Sequence, residues 1–495
     1  MKKTYIKSIL AGSAALLAVS CSKDFLDESP TRYVTVADVT ELSGIHPALA
    51  DGTVRGIYEM MFTTGLGGTT RHEDFGQKGY DIYSDMLSGD MALTVNNYSR
   101  YSNFAQLITT TDFTYLQANY TAWRYYYRLI NAANLVIKGL GGNNAVLTDA
   151  KNKASMGQAK ALRAHSYFNL AQLYMTEYSE TSKVLPIYIE PNGNAKPQST
   201  TKEVYEFMIK DLEEAVVLLN GFTRSDKYQI NQEVAKGILA YVYAARGTAA
   251  DNARAKQLAD EVVAGGTPIT TKEQVLGGFN DIAKNPSWLW GVDITLDNGL
   301  DLVSWWGQMD YFTYSYQFAG DKKAIDVGLF NAIRANDVRK KQFFTGSGNN
   351  NLIPFNKFYA PQRVAGGQRN ITTDYIYMRV DEMVLLSAEL AARMGQDAEA
   401  KTQLKKVLSQ RFDNAADYAY VDALNGAALQ SEIHLQTRIE LWGEGKSLWA
   451  QRRHKSPVVR GANHLFLAGQ TIPYNDDKLD FEIPQSEVQN NPFIN

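Results

Sequence analysis

Residues 288–318 concentrate side chains that can bind a ligand. The stretch carries Trp288, Trp290, Trp305, Trp306, Tyr311, Phe312, Tyr314, Tyr316 and Phe318, and four of the chain's seven tryptophans fall within it. Asp293, Asp297, Asn298, Asp301, Gln308 and Asp310 lie between the rings. Flat aromatic faces beside amides and carboxylates suit a ligand with C–H faces and many hydroxyls, such as a sugar. The rings give large contact area at little entropy cost, and the polar groups set orientation. Aromatic clusters also pack as cores, so the residue types alone leave open whether these rings face a ligand or each other.

Catalytic patterns are missing. The six histidines (His46, His72, His165, His434, His454 and His464) form no H-E-x-x-H pair, and no G-x-S-x-G occurs. The runs Gly65–Gly68 and Gly139–Gly142 lack the third glycine of a dinucleotide fingerprint, at Thr70 and Asn144, and read as turns and helix stops. Carboxylate pairs for glycoside hydrolysis are available in number among 53 acidic residues, but nothing singles out one pair. No EF-hand loop is present. The expectation is therefore a binder without catalytic residues, cofactor or metal.

Composition narrows the class. With 495 residues, 45% of them hydrophobic, the chain buries a sizeable core. A net charge of -3 and the lack of any basic block argue against a nucleic-acid partner. Lys2, Lys3 and Lys7 precede a short apolar run from Ile9 to Val19, which reads as a secretory leader over residues 1–20. Ala18-Val19-Ser20-Cys21 is similar to a lipobox, with Ala18 where leucine is usual and Leu17 one place early. Cys21, the single cysteine, is the expected lipidation site. Cleavage removes the three lysines and takes the formal charge to about -6. No disulfide remains possible, so stability in an oxidising compartment rests on packing.

The elements that must position the rings are mostly helices. Val54, Ile57 and Met61 mark a first one. Trp123, Tyr127, Ile130, Asn134 and Ile137 follow 4, 3, 4, 3 spacing, as do Ala161, Ala164, Phe168, Ala171 and Met175 within 156–178. Thr200 with Glu203 predicts a capping box, Asn231 predicts a helix cap, and a short helix is expected over 252–264. Ile376, Val380, Met383, Leu386, Leu390 and Met394 predict a helix, Asp397 opens another, and a third is expected over 429–453. Paired helices joined by short turns predict a divergent helical-repeat scaffold. Two irregular insertions, 69–114 and 265–373, interrupt it, and long loops of this kind usually carry function.

Five segments in order resemble the SusD/RagB family of Bacteroidetes nutrient-binding lipoproteins. The helix from Lys160 to Ala171, with Arg163, Ala164, Tyr167 and Phe168, is similar to the family's R-A-x-x-Y-F-x-L. Val184-Leu185-Pro186-Ile187 sits where the family has V-P-L. Arg379 to Glu389 resembles R-x-A-E-x-x-L-x-x-A-E, with Asp381 where alanine is common. Arg438 to Lys446 resembles R-x-x-E-L-x-x-E-G-x-R, departing at Gly443 and Lys446. Ile483-Pro484, Glu487 and Asn491-Pro492 resemble the closing I-P-x-x-E-x-x-x-N-P. The acidic Ser22–Pro30 segment is similar to the surface-export signal of such lipoproteins. On apolar helices the motif charges need partners, and ion pairs between repeats are the physical expectation.

The resemblance implies an all-α, tetratricopeptide-like scaffold whose irregular insertions bear the ligand site. It also implies an outward-facing outer-membrane lipoprotein that captures glycans, or in some members peptides, for a TonB-dependent (SusC-like) transporter. On that basis residues 21–495 form one SusD-like domain: a helical part over 21–264 with the 69–114 insertion, the 265–373 insertion, and a C-terminal helical part over 374–495. The chemistry of the two insertions nominates Trp305, Trp306, Tyr311 and Tyr314 as stacking platforms. Asp85, Asn96, Asn97 and Tyr98 are their expected polar and ring partners. A surface glycoside hydrolase is the competing reading.

Overall fold

The computed structural model describes residues 47–114 and 118–494. The expected leader, Cys21 and the 22–30 segment lie outside them. The helices begin where the local sequence can satisfy their first N–H groups. Asp149 accepts from the Asn152 amide at 2.9 Å ahead of the Ala150–Tyr174 helix. Thr200 and Glu203 form the predicted capping box ahead of Thr201–Leu218, and Asn231 accepts from the Val234 amide at 3.1 Å to open Gln232–Arg246. Thr248 and Asp251 build a second box before Ala249–Ala264. Each cap contributes about 1 kcal/mol.

These helices stack in sequence order. Ala118–Gly139 packs on Ala150–Tyr174, which packs on Thr201–Leu218, then Gln232–Arg246, then Ala249–Ala264. The next layer is Val380–Arg393, followed by Asp397–Leu408, so the stack continues across the 265–373 excursion as if it were absent. The result is the helical-repeat scaffold expected of the family, with Ala161, Phe168, Val204, Leu212, Ile238 and Leu386 in one continuous core.

Three local expectations are corrected. The 69–114 insertion is not loop throughout: Gln77–Leu87 is a helix whose every residue is buried. Residues 375–379, expected to start a helix, form a strand that pairs antiparallel with Trp288–Val292. Trp288 and Trp290 are therefore core residues of a buried two-stranded sheet, and Trp290 Nε1 donates to the Tyr228 carbonyl at 2.8 Å. The 429–453 segment breaks into Gly426–Glu440 and Ser447–Arg453, because Gly443 and Gly445 adopt φ of 79° and 78°, a region that side-chain-bearing residues avoid.

The motif charges are paired, and all but Arg438 of those in the pairs that follow have buried side chains. Arg163 bridges to Asp211 at 2.7 Å, joining two successive scaffold helices. Arg438 pairs with Asp90 at 2.5 Å, and Arg453 with Glu389 at 2.9 Å. Arg379 meets Glu440 at 2.7 Å and Glu444 at 2.8 Å, and Arg339, Arg411, Lys357, Asp337 and Asp381 complete the cluster. Four cations thus face four carboxylates, all buried. Burial alone would raise the Glu440 carboxyl, but the Arg411 and Arg379 guanidiniums hold it well below the usual carboxylate range. This cluster fastens the C-terminal helices to the end of the 265–373 excursion, and its charges are engaged with one another.

Candidate functional site

The two insertions meet. Strand Met91–Leu93 of the first pairs antiparallel with Lys323–Ile325 of the second, residues more than 200 apart in sequence. The pairing continues past the strands: Asn97 N donates to the Gly320 carbonyl at 3.1 Å, and Lys322 N to the Val95 carbonyl at 3.0 Å. The Asp321 carboxylate then accepts from the backbone amides of Tyr98 at 2.7 Å and Arg100 at 2.8 Å. Gly320 is needed at this seam. Its φ is 143°, and a Cβ there would lie 2.2 Å from Asn97 Nδ2. Ser99 and Tyr101 hold left-handed φ values near 60° without being glycine, so the tip that carries Tyr98 and Arg100 is a strained turn held by its surroundings.

The aromatic residues at this junction include two ring pairs, Tyr98 with Tyr316 and Tyr311 with Phe318. Tyr98, 55% exposed, sets its ring edge against Tyr316, with centroids 5.7 Å apart. The Arg100 guanidinium lies over the Tyr316 ring, 5.0 Å from its centroid, and the Tyr316 hydroxyl lies 2.7 Å from His72 Nδ1. Burial, then Arg100, pulls the His72 imidazole below its ordinary value, which favours the neutral ring. Tyr316 starts a single helical turn that presents Phe318, 37% exposed, and Phe318 packs edge-on against Tyr311 at 5.6 Å. Tyr314, 41% exposed, is held by its backbone N–H on the Gln368 carbonyl, with the Arg369 guanidinium 4.3 Å over its ring.

The predicted site residues divide. Asn97, Tyr98 and Tyr314 are on the surface, while Asn96 and Tyr311 are half-buried just beneath it. Asn96 Nδ2 donates to Ser102 Oγ, and its buried Oδ1 has no partner among the described residues. Trp305, Trp306 and Asp85 are corrected. Trp305 and Trp306 are 2% and 0% exposed, meet edge-to-face at 5.0 Å, and cannot offer a face to a ligand. Trp306 Nε1 donates to the Asp374 carbonyl, and Trp305 packs against Phe358 and beneath the Lys78 ammonium. Asp85 is fully buried. It accepts from the Gly445 amide at 3.1 Å, and burial pushes its carboxyl up to about 8.

His72, Arg100, Phe318 and Arg369 join this surface without having been nominated by their sequence context. Phe318 does lie within the aromatic stretch. The other three owe their positions to strand pairing and ring contacts between distant segments, which leave no local signal. The exposed rings are those of Tyr98, Tyr314 and Phe318, with the Arg369 guanidinium over one face of Tyr314 and amide donors nearby. That combination stacks on apolar C–H faces and hydrogen-bonds hydroxyls.

The fold and this junction define a helical-repeat scaffold that carries a composite surface on two joined excursions. Comparisons with known proteins agree on the fold. Residues 72–244 match a SusD-like family model described as starch-binding associating with outer membrane, and residues 313–494 match the SusD family model. The chain belongs to the SusD/RagB family. It is similar to a SusD-like protein of Bacteroides ovatus, 28% identical over 246 residues, a match covering 48% of this chain and 39% of that protein. Its fold is similar to a SusD-like carbohydrate-binding protein of Bacteroides vulgatus (TM-score 0.75, 23% identity, 90% of this chain and 97% of that one). It is also similar to a SusD superfamily protein of Bacteroides thetaiotaomicron (TM-score 0.75, 22% identity, 91% and 99%). The surface glycan-binding protein A of the same species, solved in complex with laminarihexaose, aligns with a TM-score of 0.68 at 15% identity, covering 90% and 97%.

Proposed function

We propose that the protein is a cell-surface lipoprotein that captures oligosaccharides on the composite surface of Asn97, Tyr98, Tyr314 and Phe318 and passes them to a TonB-dependent outer-membrane transporter. The carrying observation is the seam at Asp321 and Gly320, which clamps two insertions together and leaves three aromatic rings facing solvent. Family membership supports the reading, as does the laminarihexaose complex of the structurally similar glycan-binding protein. The surface is open, so it suits an internal stretch of a longer chain.

A glycan fits this surface better than a peptide does. The backbone amides of Asn97, Tyr98, Arg100 and Tyr314 are all bonded within the protein, so none of these four can pair with a peptide strand. Rings and side-chain donors are what remain. Lipidation at Cys21 would hold the binder beside its transporter and raise the effective concentration, so that weak sugar contacts suffice. No described helix is long and apolar enough to cross a membrane.

The test is to incubate the protein with a panel of plant and host oligosaccharides, recording heat of binding and analysing the products. Binding without cleavage of the bound sugar is expected. Shortened products would make the protein an enzyme and overturn the reading.

A further inference from the structure

A second concave site lies outside the two insertions. A cleft of about 500 Å³ opens between the Ala118–Gly139 helix, the 188–193 loop and the Gln485–Asn490 helix of the C-terminal tail. Its volume is in the range of small-molecule and saccharide sites. One wall is aromatic: Tyr120, Trp123, Tyr127 and Tyr188 all line it. Trp123 and Tyr127 are tilted at 51° with centroids 4.8 Å apart, and Tyr127 meets Tyr188 edge-on at 5.7 Å. Rings set at such angles do not cover one another's faces as parallel stacking would.

The opposite wall is built by the closing motif of the tail. Glu487 accepts from Trp123 Nε1 at 3.3 Å and from Asn491 Nδ2 at 2.9 Å, and Asn491 Nδ2 also donates to the Lys196 carbonyl at 2.9 Å. The tail is thereby pinned across the Ala118–Gly139 helix, and the cleft is the space it leaves. The loop side is strained as well: Asn192 holds a left-handed φ of 52°, fixed by its amide donating to Asn131 Oδ1 at 2.8 Å. That bond orients the Asn131 side chain, whose Nδ2 donates to no described residue.

The charges lining the cleft balance. Two cations, Arg124 and Arg128, and two carboxylates, Glu190 and Glu487, line it, and Arg124 donates to the Tyr120 hydroxyl at 3.3 Å. Arg128 is engaged by the Leu66 carbonyl at 2.7 Å, Glu487 by Trp123 and Asn491, and Glu190 lies 3.9 Å from Lys138. The four lining charges sum to zero. Aromatic faces, an oriented amide and compensated charges fit an uncharged, hydroxyl-rich ligand. We propose that this cleft is a second saccharide-binding subsite, taking a short stretch of a neutral glycan. It shares its ligand class with the proposed function but uses none of the residues of the insertion surface.

The test titrates the full chain, purified in detergent, with neutral hexasaccharides: laminarihexaose, maltohexaose, cellohexaose, xylohexaose and mannohexaose. Two variants run beside it. Tyr98→Ala/Tyr314→Ala strips the insertion surface. Tyr120→Ala/Asn131→Asp strips the cleft, and the aspartate retains the acceptor for the Asn192 amide so that the loop keeps its bond. Thermal unfolding of both variants checks the fold. The expected result is a probe that binds the wild type at two sites and the insertion variant at one. The cleft variant loses the second site at least tenfold, and hydrogen exchange in the insertion variant slows on probe binding at residues 120–134 and 485–490. A single wild-type site abolished in the insertion variant overturns the cleft and leaves the proposed function standing. A single site lost only in the cleft variant supports the cleft and removes the insertion surface as the binding site. Binding by neither the wild type nor the variants overturns both.

Discussion

Tyr98 and Tyr314 are the side chains most exposed to a ligand at the junction, and neither hydroxyl has a partner among the described residues. Truncating either to alanine is expected to weaken oligosaccharide binding about tenfold, roughly 1.4 kcal/mol, without changing the melting temperature, measured by parallel titration and thermal unfolding. Trp305→Ala behaves in the opposite way. It empties a buried edge-to-face contact and is expected to cost about 3–5 kcal/mol of stability by denaturant titration. Asp85 supplies a pH test. Its folded carboxyl is raised to about 8 by burial, above an unfolded value of about 3.9. Its contribution is fully present below pH ~4 and lost as pH rises through ~8. Asp85→Asn should therefore gain on the wild type between pH 5 and pH 8 in denaturant titrations, and an equal difference at both pH values would contradict the burial argument. An indole or a carboxylate in an irregular stretch carries no mark of whether it meets solvent or a neighbour. Trp305, Trp306 and Asp85 were illegible for that reason, whereas the richness of the region in rings was plain.

At the scale of elements, the legible features are local ones. Thr200 with Glu203 and Asn231 cap their own helices, so three or four residues suffice to read them. The strand at 375–379 was hidden because Ile376 and Val380 keep helical spacing by coincidence with the buried helix that follows. The ion-pair cluster was half legible: Arg379, Glu440 and Glu444 stand in motifs, but Arg339, Arg411 and Lys357 arrive from distant segments. Glu440 lies at its centre, and Glu440→Gln is expected to cost about 3–5 kcal/mol at pH 7, because it leaves three guanidiniums short of a buried counter-charge. Its folded pKa is depressed, so this stability is present above an unfolded value of about 4.3 and is lost as pH falls through the lower folded value. The penalty should shrink as pH falls below about 4.3. At the seam, Gly320→Ala forces a side chain into Asn97 at a φ suited to glycine, a strain of about 1–3 kcal/mol. Ligand affinity should fall while the Ala150–Tyr174 core keeps its hydrogen-exchange protection.

For the whole molecule, the scaffold is continuous across the 265–373 excursion, and the two insertions close on each other at one place. This architecture separates the stable stack from the proposed binding surface, and the family motifs mark packing and ion pairs of the stack. It also explains why helices, order and family were readable and the proposed site was not: that surface forms only after residues 96–100 and 311–323 are brought together. On the proposed reading Cys21→Ala should shift the protein from the membrane fraction to the soluble fraction of fractionated cells. The central claim is that the joined insertions hold the glycan. The most direct measurement is calorimetric titration of the wild type and of Tyr98→Ala/Tyr314→Ala with an oligosaccharide the wild type binds. The account predicts loss of the strong site in a variant that unfolds at the wild-type temperature. An unchanged isotherm from that folded variant would contradict it.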